Sequence, residues 1–231
     1  MINSKTEFGM KLMRVVGATT GVTYVSVPIT TGYRGLVLMR ELGATKDELR
    51  TLYPGQYTER VIGPNEREAQ KFANMVRKSG KGGLVINPGD LYVPDWTQRD
   101  YMIFWEETIR SFGMEVVLAP GWEYSAGARY EATVSLQSML KVSDLRGREL
   151  SPADLQRIDE RARVKLASEG FDQSVVDVYM PWIDFSAASS DTADFGASVE
   201  GFSDIIVRHN FEARNRQHEV GGQNPETPPS E

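Results

Sequence analysis

The 231-residue chain contains no cysteine and only two histidines, His209 and His218. Without cysteine there is no disulfide, no thiolate metal site and no cysteine nucleophile. Two histidines near the end of the sequence argue against a histidine triad or a multi-histidine metal site, so we expect no metal and no cofactor. Any acid–base chemistry therefore rests on carboxylates, tyrosines or lysines.

The sequence also lacks a long apolar run and a basic stripe. No apolar stretch approaches the ~18 residues of a membrane span. The opening MINSKTEFGMKLMRVVG has neither the apolar region nor the cleavage site of a signal peptide, so we expect a cytoplasmic protein with no membrane partner. The net charge of −6 argues against a nucleic-acid partner and leaves a small anionic or neutral ligand open.

Apolar residues make up 40% of the chain, enough for a substantial core, and they fall into alternating strand-like and helix-like segments. Buried strands are predicted at 22–29, 83–88 and 114–120. Helices are predicted at 65–83, 94–113, 125–140 and 151–171. This alternation predicts an α/β fold with a mostly parallel sheet and helices on both faces, a three-layer arrangement of the Rossmann-like or flavodoxin-like kind.

We expect one α/β domain at 1–211, followed by a disordered polar tail at 212–231. Within the domain, 22–140 is the core, 33–64 an insertion and 141–211 a C-terminal extension. The insertion contains one helical candidate, ATKDEL, and a connection of this length often serves as a lid or substrate loop. Three further segments are less regular. They are 1–20 (short helix or edge strand), 175–185 (strand) and 203–211 (strand or short helix).

Caps define the expected helix starts. Asn65 with Glu68 three residues later has the spacing of a capping box, and Asp95 with Gln98 has the same spacing. Two serines are predicted to cap the later helices, and the second is followed by a proline at the first helical position. These serines are Ser125 and Ser151.

The predicted strands end in loops rich in proline and glycine, where the backbone can approach a ligand closely. In open parallel sheets, ligands bind at the carboxyl ends of the strands. The same residues are also common in ordinary turns. Neither a phosphate loop nor a dinucleotide-binding glycine motif is present, which weakens ATPase and dinucleotide-fold interpretations. The candidate binding residues in these loops are Pro28, Thr30, Thr31, Gly32, Asn87, Gly121 and Trp122.

The third predicted helix carries a carboxylate among small residues. Gly127, Glu131 and Ser135 share one face at 3.6 residues per turn, which leaves room for a ligand beside Glu131. Ser125 caps the same helix, so its hydroxyl and the free N–H groups can meet a ligand anion. The alternative is that Glu131 is a surface acid favoured near a helix N-terminus.

The second predicted helix places Asp100 beside an aromatic stripe, since Trp96, Asp100 and Phe104 follow an i, i+4 spacing. An acid flanked by aromatic rings is a candidate for a raised pKa and a proton-donor role. The alternative is a solvated acid on the flank of the helix. The stripe itself is more typical of a core than of a ligand platform.

The run from VINP through WTQRDYMIFW to GWEYSAGARYE resembles the nucleoside 2-deoxyribosyltransferase-like superfamily, in particular an uncharacterised branch with a GWE-S-GA---E motif. The resemblance covers 22–140, and the superfamily includes deoxynucleoside monophosphate and CMP N-glycosidases. It implies that Glu131 is the nucleophile and that Asp100 lies at the base end of the ligand. Tyr24 or the Pro28–Thr30 loop would supply the first-strand contacts.

Ser125 stands where transferases of this superfamily often have aspartate and monophosphate hydrolases often have serine. The resemblance therefore implies an enzyme that cleaves the N-glycosidic bond of a nucleotide or nucleoside, by hydrolysis rather than deoxyribosyl transfer. Two carboxylates suffice for this chemistry, and retaining enzymes hold them ~5 Å apart. Trp122 is a candidate to stack on the base, and the alternative, a residue of the core, has at least equal support.

Two other functions stay open: a non-catalytic nucleotide-binding or sensor module, and an NAD glycohydrolase. Because related folds often complete the pocket from a neighbouring subunit, we expect a homodimer or higher homo-oligomer.

Overall fold

A four-stranded, all-parallel sheet runs through the part of the chain that the computed structural model describes, residues 4–15, 17–18, 21–80 and 83–185. The strands are β1 (Val22–Ser26), β2 (Val85–Ile86), β3 (Gly113–Leu118) and β4 (Lys141–Asp144). They lie in the order β2-β1-β3-β4, which is the flavodoxin-like order. The three strands predicted from the sequence are confirmed, and β4 is an addition.

Helices connect these strands. They are α1 (Ser4–Val15), α2 (Tyr33–Leu42), α3 (Lys46–Leu52), α4 (Pro54–Tyr57), α5 (Gly63–Lys78), α6 (Gln98–Phe112), α7 (Ala126–Gln137), α8 (Pro152–Ser168) and α9 (Gln173–Tyr179). A π-helical segment, Thr58–Ile62, joins α4 to α5, and short 3₁₀ turns follow β2 (Pro88–Asp90) and β3 (Trp122–Tyr124). None of the helices in the described ranges is both long and apolar enough to cross a lipid bilayer.

Side chains alternate along β1 between two helical layers. Val25 and Val27 pack in one apolar cluster with Val76 of α5. Tyr24 and Ser26 point the other way, toward α6 and α7. This is the period of two that a strand imposes. Helices therefore cover both faces of the sheet, and the predicted three-layer α/β fold is confirmed.

The strand order creates a switch point between β1 and β3. β1 is followed by β2 on one side and β3 is followed by β4 on the other, so the connections from the carboxyl ends of β1 and β3 run in opposite directions. Ser26 lies opposite Leu118, and the Ala119 N–H donates to the Ser26 carbonyl at 2.9 Å. The two strands thus end at the same level, and in this topology ligands bind in the crevice just beyond them.

The segment predicted as an insertion, 33–64, is largely helical and packed rather than an open loop. Leu36 and Leu38 of α2 and Leu49 of α3 are buried against α8 and α9, where Leu166 and Met180 belong to the same cluster. The predicted helix at ATKDEL is confirmed by α3, which has a capping box at its start. These helices form a second apolar core.

Two predicted caps are wrong. Asn65 lies inside α5, because α4 and the π-helical segment already supply the preceding turns. Asp95 precedes α6 with a φ of +66°, and Thr97 is the cap instead. Thr97 and Asp100 have the same three-residue spacing as Asp95 and Gln98, so spacing alone does not choose between the two pairs. The caps predicted at two serines, Ser125 and Ser151, are confirmed.

The predicted strand at 175–185 is also wrong, since Gln173–Tyr179 is helical and Asp172 caps it by accepting the Ser174 N–H at 2.7 Å. The start of the chain, for which helix and strand both stayed open, is helical at α1. All described residues belong to the unit Met1–Phe195. The predictions for 203–211 and for the tail 212–231 lie outside the described residues.

Candidate active site

Glu131 of α7 is hydrogen-bonded to two side chains of β1. The Tyr24 hydroxyl donates to Glu131 Oε1 at 2.7 Å, and the Ser26 hydroxyl donates to Oε2 at 2.6 Å. Tyr24 and Ser26 are two residues apart and share the face of β1 that α7 covers, so the strand presents both donors together. The carboxylate therefore lies beside the carboxyl end of β1, at the switch point of the sheet.

Burial dominates the electrostatics of this carboxyl. It raises the pKa of Glu131 to about 7, although the hydrogen bonds from Ser26 and Tyr24 act in the opposite direction. Burial and the charge of Glu131 raise the pKa of Tyr24 well above its usual value, so the phenol stays protonated and donates. The Glu131 residue as a whole remains partly accessible to solvent. A partly accessible carboxyl whose pKa lies near neutrality is suited to acid–base or nucleophilic chemistry.

The helix face next to Glu131 is open on one side. A Cβ built on Gly127 meets only the Ser125 hydroxyl, at 4.0 Å. Ser135, one turn further on, donates its hydroxyl to the Glu131 carbonyl at 2.6 Å and so points back along the helix. The predicted face of Gly127, Glu131 and Ser135 is thus present, with space at its N-terminal end.

The loop after β1 is held by side chains from α5 and α4. The Asn65 amide of α5 donates to the carbonyls of Ile29 and Thr31, both at 2.9 Å. The Tyr57 hydroxyl donates to the Thr30 carbonyl at 2.5 Å. Three consecutive carbonyls are therefore satisfied by protein donors, and these contacts fix the loop.

Gly32 ends this loop and starts α2. Its φ of +81° favours glycine, and a Cβ there would lie 2.8 Å from the Pro28 Cβ. Pro28 and Gly32 therefore shape the turn by close packing. Pro28 and Gly32, both predicted as binding residues, lie side by side in the structure. The contact between them is one of packing and shapes the turn.

The loop after β3 meets the loop after β1 through hydroxyl groups. Thr31 Oγ1 donates to Ser125 Oγ at 3.2 Å, and the same Ser125 oxygen accepts the Ala128 N–H at 3.4 Å as the cap of α7. Gly121 has a φ of +86° and begins the 3₁₀ turn that leads to Ser125. The structure thus brings together the predicted residues Thr31 and Ser125.

Trp122 packs in the interior rather than beside the contact between Thr31 and Ser125. Its side chain is buried and its ring lies edge-on to Phe185, with centroids 6.0 Å apart. Of the two interpretations of Trp122, the structure agrees with the core residue, because the indole packs in the interior.

The loop after β2 is stabilised from within. Asn87 Nδ2 donates to Asp90 Oδ1 at 2.8 Å, and Asn87 Oδ1 accepts the Gly89 N–H at 3.2 Å. The Asn87 amide therefore holds the 3₁₀ turn together. An open cavity of about 690 Å³ extends from this turn between α1, β2 and α6, and Trp96 and Trp105 line it.

Trp105 joins that cavity to the hydrogen-bonded cluster at β1. It lines the cavity, and its ring contacts the Tyr24 ring edge-on at a centroid distance of 5.7 Å. Glu131 is not among the lining residues. Phe104 and Trp105 are buried, as the core interpretation of the aromatic stripe expects, but together with Trp96 they also line the open cavity.

Asp100 does not have the properties expected of a proton donor. Its carboxylate accepts the Thr97 N–H and hydroxyl, both at 2.8 Å, and the Lys5 ammonium at 3.2 Å. These contacts, led by the hydrogen bond from the Thr97 backbone, lower the pKa of Asp100. The expected raised pKa is therefore wrong, because the carboxyl at this position of the helix completes a capping box.

Three residues of this region were not predicted from the sequence. Ser26 was detectable, since strand alternation places it on the face of Tyr24. Lys46 of α3 lies with its Nζ 3.4 Å from Thr30 Oγ1. Glu123 follows β3, and burial raises its pKa. No local pattern marks Lys46 or Glu123, because long-range packing places both. Elsewhere in the described ranges, no three His, Asp or Glu side chains form a metal-binding cluster.

The protein is thus an α/β protein with a desolvated carboxylate, Glu131, at the switch point of a flavodoxin-like sheet. A family model described as "Domain of unknown function (DUF4406)" matches residues 60–144. The match takes in Glu131 and the segment from α5 to β4, but not β1 with Tyr24 and Ser26. No curated protein and no solved structure matches the chain.

Proposed function

We propose that this protein cleaves the N-glycosidic bond of a nucleotide or nucleoside, with Glu131 as the carboxylate that attacks or stabilises the anomeric carbon. The observation that carries the proposal is the Glu131 carboxyl itself. It is desolvated, held by Tyr24 and Ser26, and located where ligands bind in this topology. The resemblance over 22–140 assigns the same residue the same role.

The chemistry suits a single buried carboxylate. As the bond from C1′ to the base nitrogen breaks, positive charge develops on the sugar, and an adjacent carboxylate stabilises or captures it. The base leaves with the bonding electron pair and takes a proton from solvent. Water then attacks C1′, its oxygen and one hydrogen stay on the sugar, its other proton returns to solvent, and Glu131 is regenerated as a carboxylate. Two hydrogen-bond donors fix both carboxylate oxygens, which keeps the group oriented toward one position.

Asp100 is not the proton donor in this proposal. A carboxyl with a lowered pKa carries no proton at neutral pH, and its oxygens are engaged by Thr97 and Lys5. We propose hydrolysis rather than base exchange. Ser125 supports this choice, since its neutral hydroxyl stands where transferases of the resembled superfamily often have an aspartate.

The direct test is release of free base from a panel of nucleosides, nucleoside monophosphates and NAD, separated by liquid chromatography. The wild-type protein should turn over at least one member, and Glu131→Gln should lose about 10³-fold or more in rate while still binding that substrate. Glu160→Gln, an exposed acid of α8, is the matched control and should retain full activity. Binding without turnover in the wild type would favour the alternative of a nucleotide-binding module.

The pH profile provides a second readout. Because Glu131 must be ionised to act, the rate should rise as pH passes through about 7. Ser26→Ala removes a donor that favours the ionised form, so this limb should move to higher pH by about one unit. A lower rate with an unmoved limb would mean that Ser26 only supports the fold.

A further inference from the structure

Lys46 brings a positive charge to the loop after β1 from a different part of the chain. It is the first residue of α3, and its backbone N–H donates to the Tyr179 hydroxyl at 2.9 Å, which fixes its position. The Nζ group lies 3.4 Å from Thr30 Oγ1, long for a hydrogen bond between an ammonium and a hydroxyl. The ammonium therefore faces the loop at the carboxyl end of β1 with a weak partner.

No described carboxylate forms an ion pair with this ammonium. The charges that act on it are those of Arg50, one turn further along α3, and Asp47, next to it in sequence. Burial first and Arg50 second lower the pKa of Lys46 to about 8, against the attraction of Asp47. A desolvated cation without an ion-pair partner is costly in the free protein, and an anion placed beside it would relieve that cost.

Hydroxyl groups extend from Lys46 toward Glu131. Thr30 Oγ1 lies beside the ammonium, and Thr31 Oγ1 contacts Ser125 Oγ at the start of α7. Six residues separate Ser125 from Glu131, about 9 Å along the helix axis. The site therefore has a cation and neutral hydroxyls at one end and a carboxylate at the other. This arrangement matches a ligand with an anionic group at one end and a reactive sugar carbon at the other.

We propose that Lys46 binds the phosphate of a nucleoside monophosphate and thereby makes this protein select phosphorylated over unphosphorylated ligands. The inference rests on the proposed function for the identity of the ligand. It assigns a specificity role to the helical segment between β1 and β2. That segment contributes the cation, since β1 has none and Arg129 of α7 is already paired with Asp159.

The test compares matched pairs of 2′-deoxynucleoside 5′-monophosphates and the corresponding nucleosides, on the wild type and on Lys46→Met. Affinity and kcat/KM for the monophosphates should fall about 10- to 100-fold in the variant, the range for losing a charge-assisted hydrogen bond. The values for the nucleosides should not change. Lys46→Arg should retain a substantial part of the preference, because it keeps the charge.

Lys78→Met is the matched control. Lys78 ends α5, thirteen residues and about 20 Å of helix from Asn65, which contacts the loop. The Lys78→Met substitution removes the same charge from an exposed position and should leave the preference for monophosphates over nucleosides unchanged. Thermal unfolding should show Lys46→Met at least as stable as the wild type, since the variant removes a desolvated cation.

Calorimetric binding in a Glu131→Gln background separates this inference from the proposed function. If no ligand is turned over by the wild type but Lys46→Met still abolishes the preference for monophosphates in binding, the phosphate site stands and the enzymatic proposal fails. The phosphate site is overturned if the wild type releases base but Lys46→Met weakens the binding of nucleosides and of monophosphates equally. It is also overturned if Lys46→Met weakens the binding of neither. Absence of monophosphate binding to the Glu131→Gln protein overturns it as well.

Discussion

The two hydrogen bonds that Glu131 accepts do not offset its burial, since its pKa still rises from 4.5 to about 7. The folded state therefore holds the proton more tightly than the unfolded chain. Between these two pH values the unfolded chain releases its proton first, so the free energy of unfolding falls as pH rises. Above pH 7 this destabilisation is complete, and it amounts to roughly 3 kcal/mol at most.

Glu131→Gln should therefore be more stable than the wild type at pH 8, by roughly 1–3 kcal/mol. Near pH 4 the two proteins should be nearly equal, because Glu131 is then mostly protonated in the folded and the unfolded wild type alike, and the glutamine side chain has the same shape and no charge. Urea unfolding at both pH values measures the difference. Glu160→Gln should show no comparable change, and a variant less stable than the wild type at pH 8 would contradict the argument.

How much of the site the sequence predicts depends on the range of the contacts. Glu131 stands out locally, as a carboxylate among small residues one and a half turns into a helix. Asp100 has the same local appearance, yet its neighbours Thr97 and Lys5 make it a capping residue. Local pattern identifies both acids, but only the partners brought by α1 and β1 decide which of them is desolvated.

At the scale of elements, the strands rich in β-branched residues are predictable and the polar ones are not. β4 reads KVSD and shows no apolar run, so its strand depends on pairing with β3. The segment at α9 is rich in valine, yet it is helical because Asp172 caps it and Val176 fits the second core. Packing overrides intrinsic propensity at both places.

Asn65 shows how one element positions another. It was predicted as a cap, but from inside α5 its amide holds the carbonyls of Ile29 and Thr31, and its oxygen accepts from Arg34 at 3.0 Å. The helix thereby fixes the loop on which Thr30 and Thr31 are presented. The loop and the N-terminal end of α5 should behave as one unit.

Asn65→Ala should loosen this loop without melting the helix. Two partly buried carbonyls lose their donor, so we expect a loss of about 1–3 kcal/mol in the free energy of unfolding. Hydrogen exchange should quicken at 29–34, while amides near the C-terminal end of α5 keep their protection. Asn74→Ala, on an exposed face of the same helix, should change stability by less than about 0.5 kcal/mol. Unchanged exchange at 29–34 in Asn65→Ala would show that other contacts hold the loop.

At the scale of the whole molecule, a buried ion pair links the sheet layer to the helical core. Arg129 of α7 and Asp159 of α8 are both fully buried, with Nη2 and Oδ1 2.7 Å apart. Arg129 Nη1 also donates to the Pro181 carbonyl at 2.7 Å, and Arg163 pairs with the other Asp159 oxygen at 3.1 Å. Burial lowers the pKa of Arg129 to about 10, against the attraction of Asp159. One carboxylate therefore pairs with guanidinium groups from two different helices.

Asp159→Asn should uncouple the two cores. It leaves the Arg129 guanidinium buried without a counter-charge, whereas Arg163 keeps its ion pair with Asp177 at 3.0 Å. Breaking a buried pair in this way costs about 3–5 kcal/mol. Arg129→Met should cost less, because Asp159 keeps its contact with Arg163. Hydrogen exchange should show α8 and α9 opening before β1 and β3 in Asp159→Asn, and Glu160→Gln serves as the neighbouring control. If Asp159→Asn instead lost protection uniformly across the sheet and the helices, the ion pair would stabilise the fold as a whole rather than join its two cores.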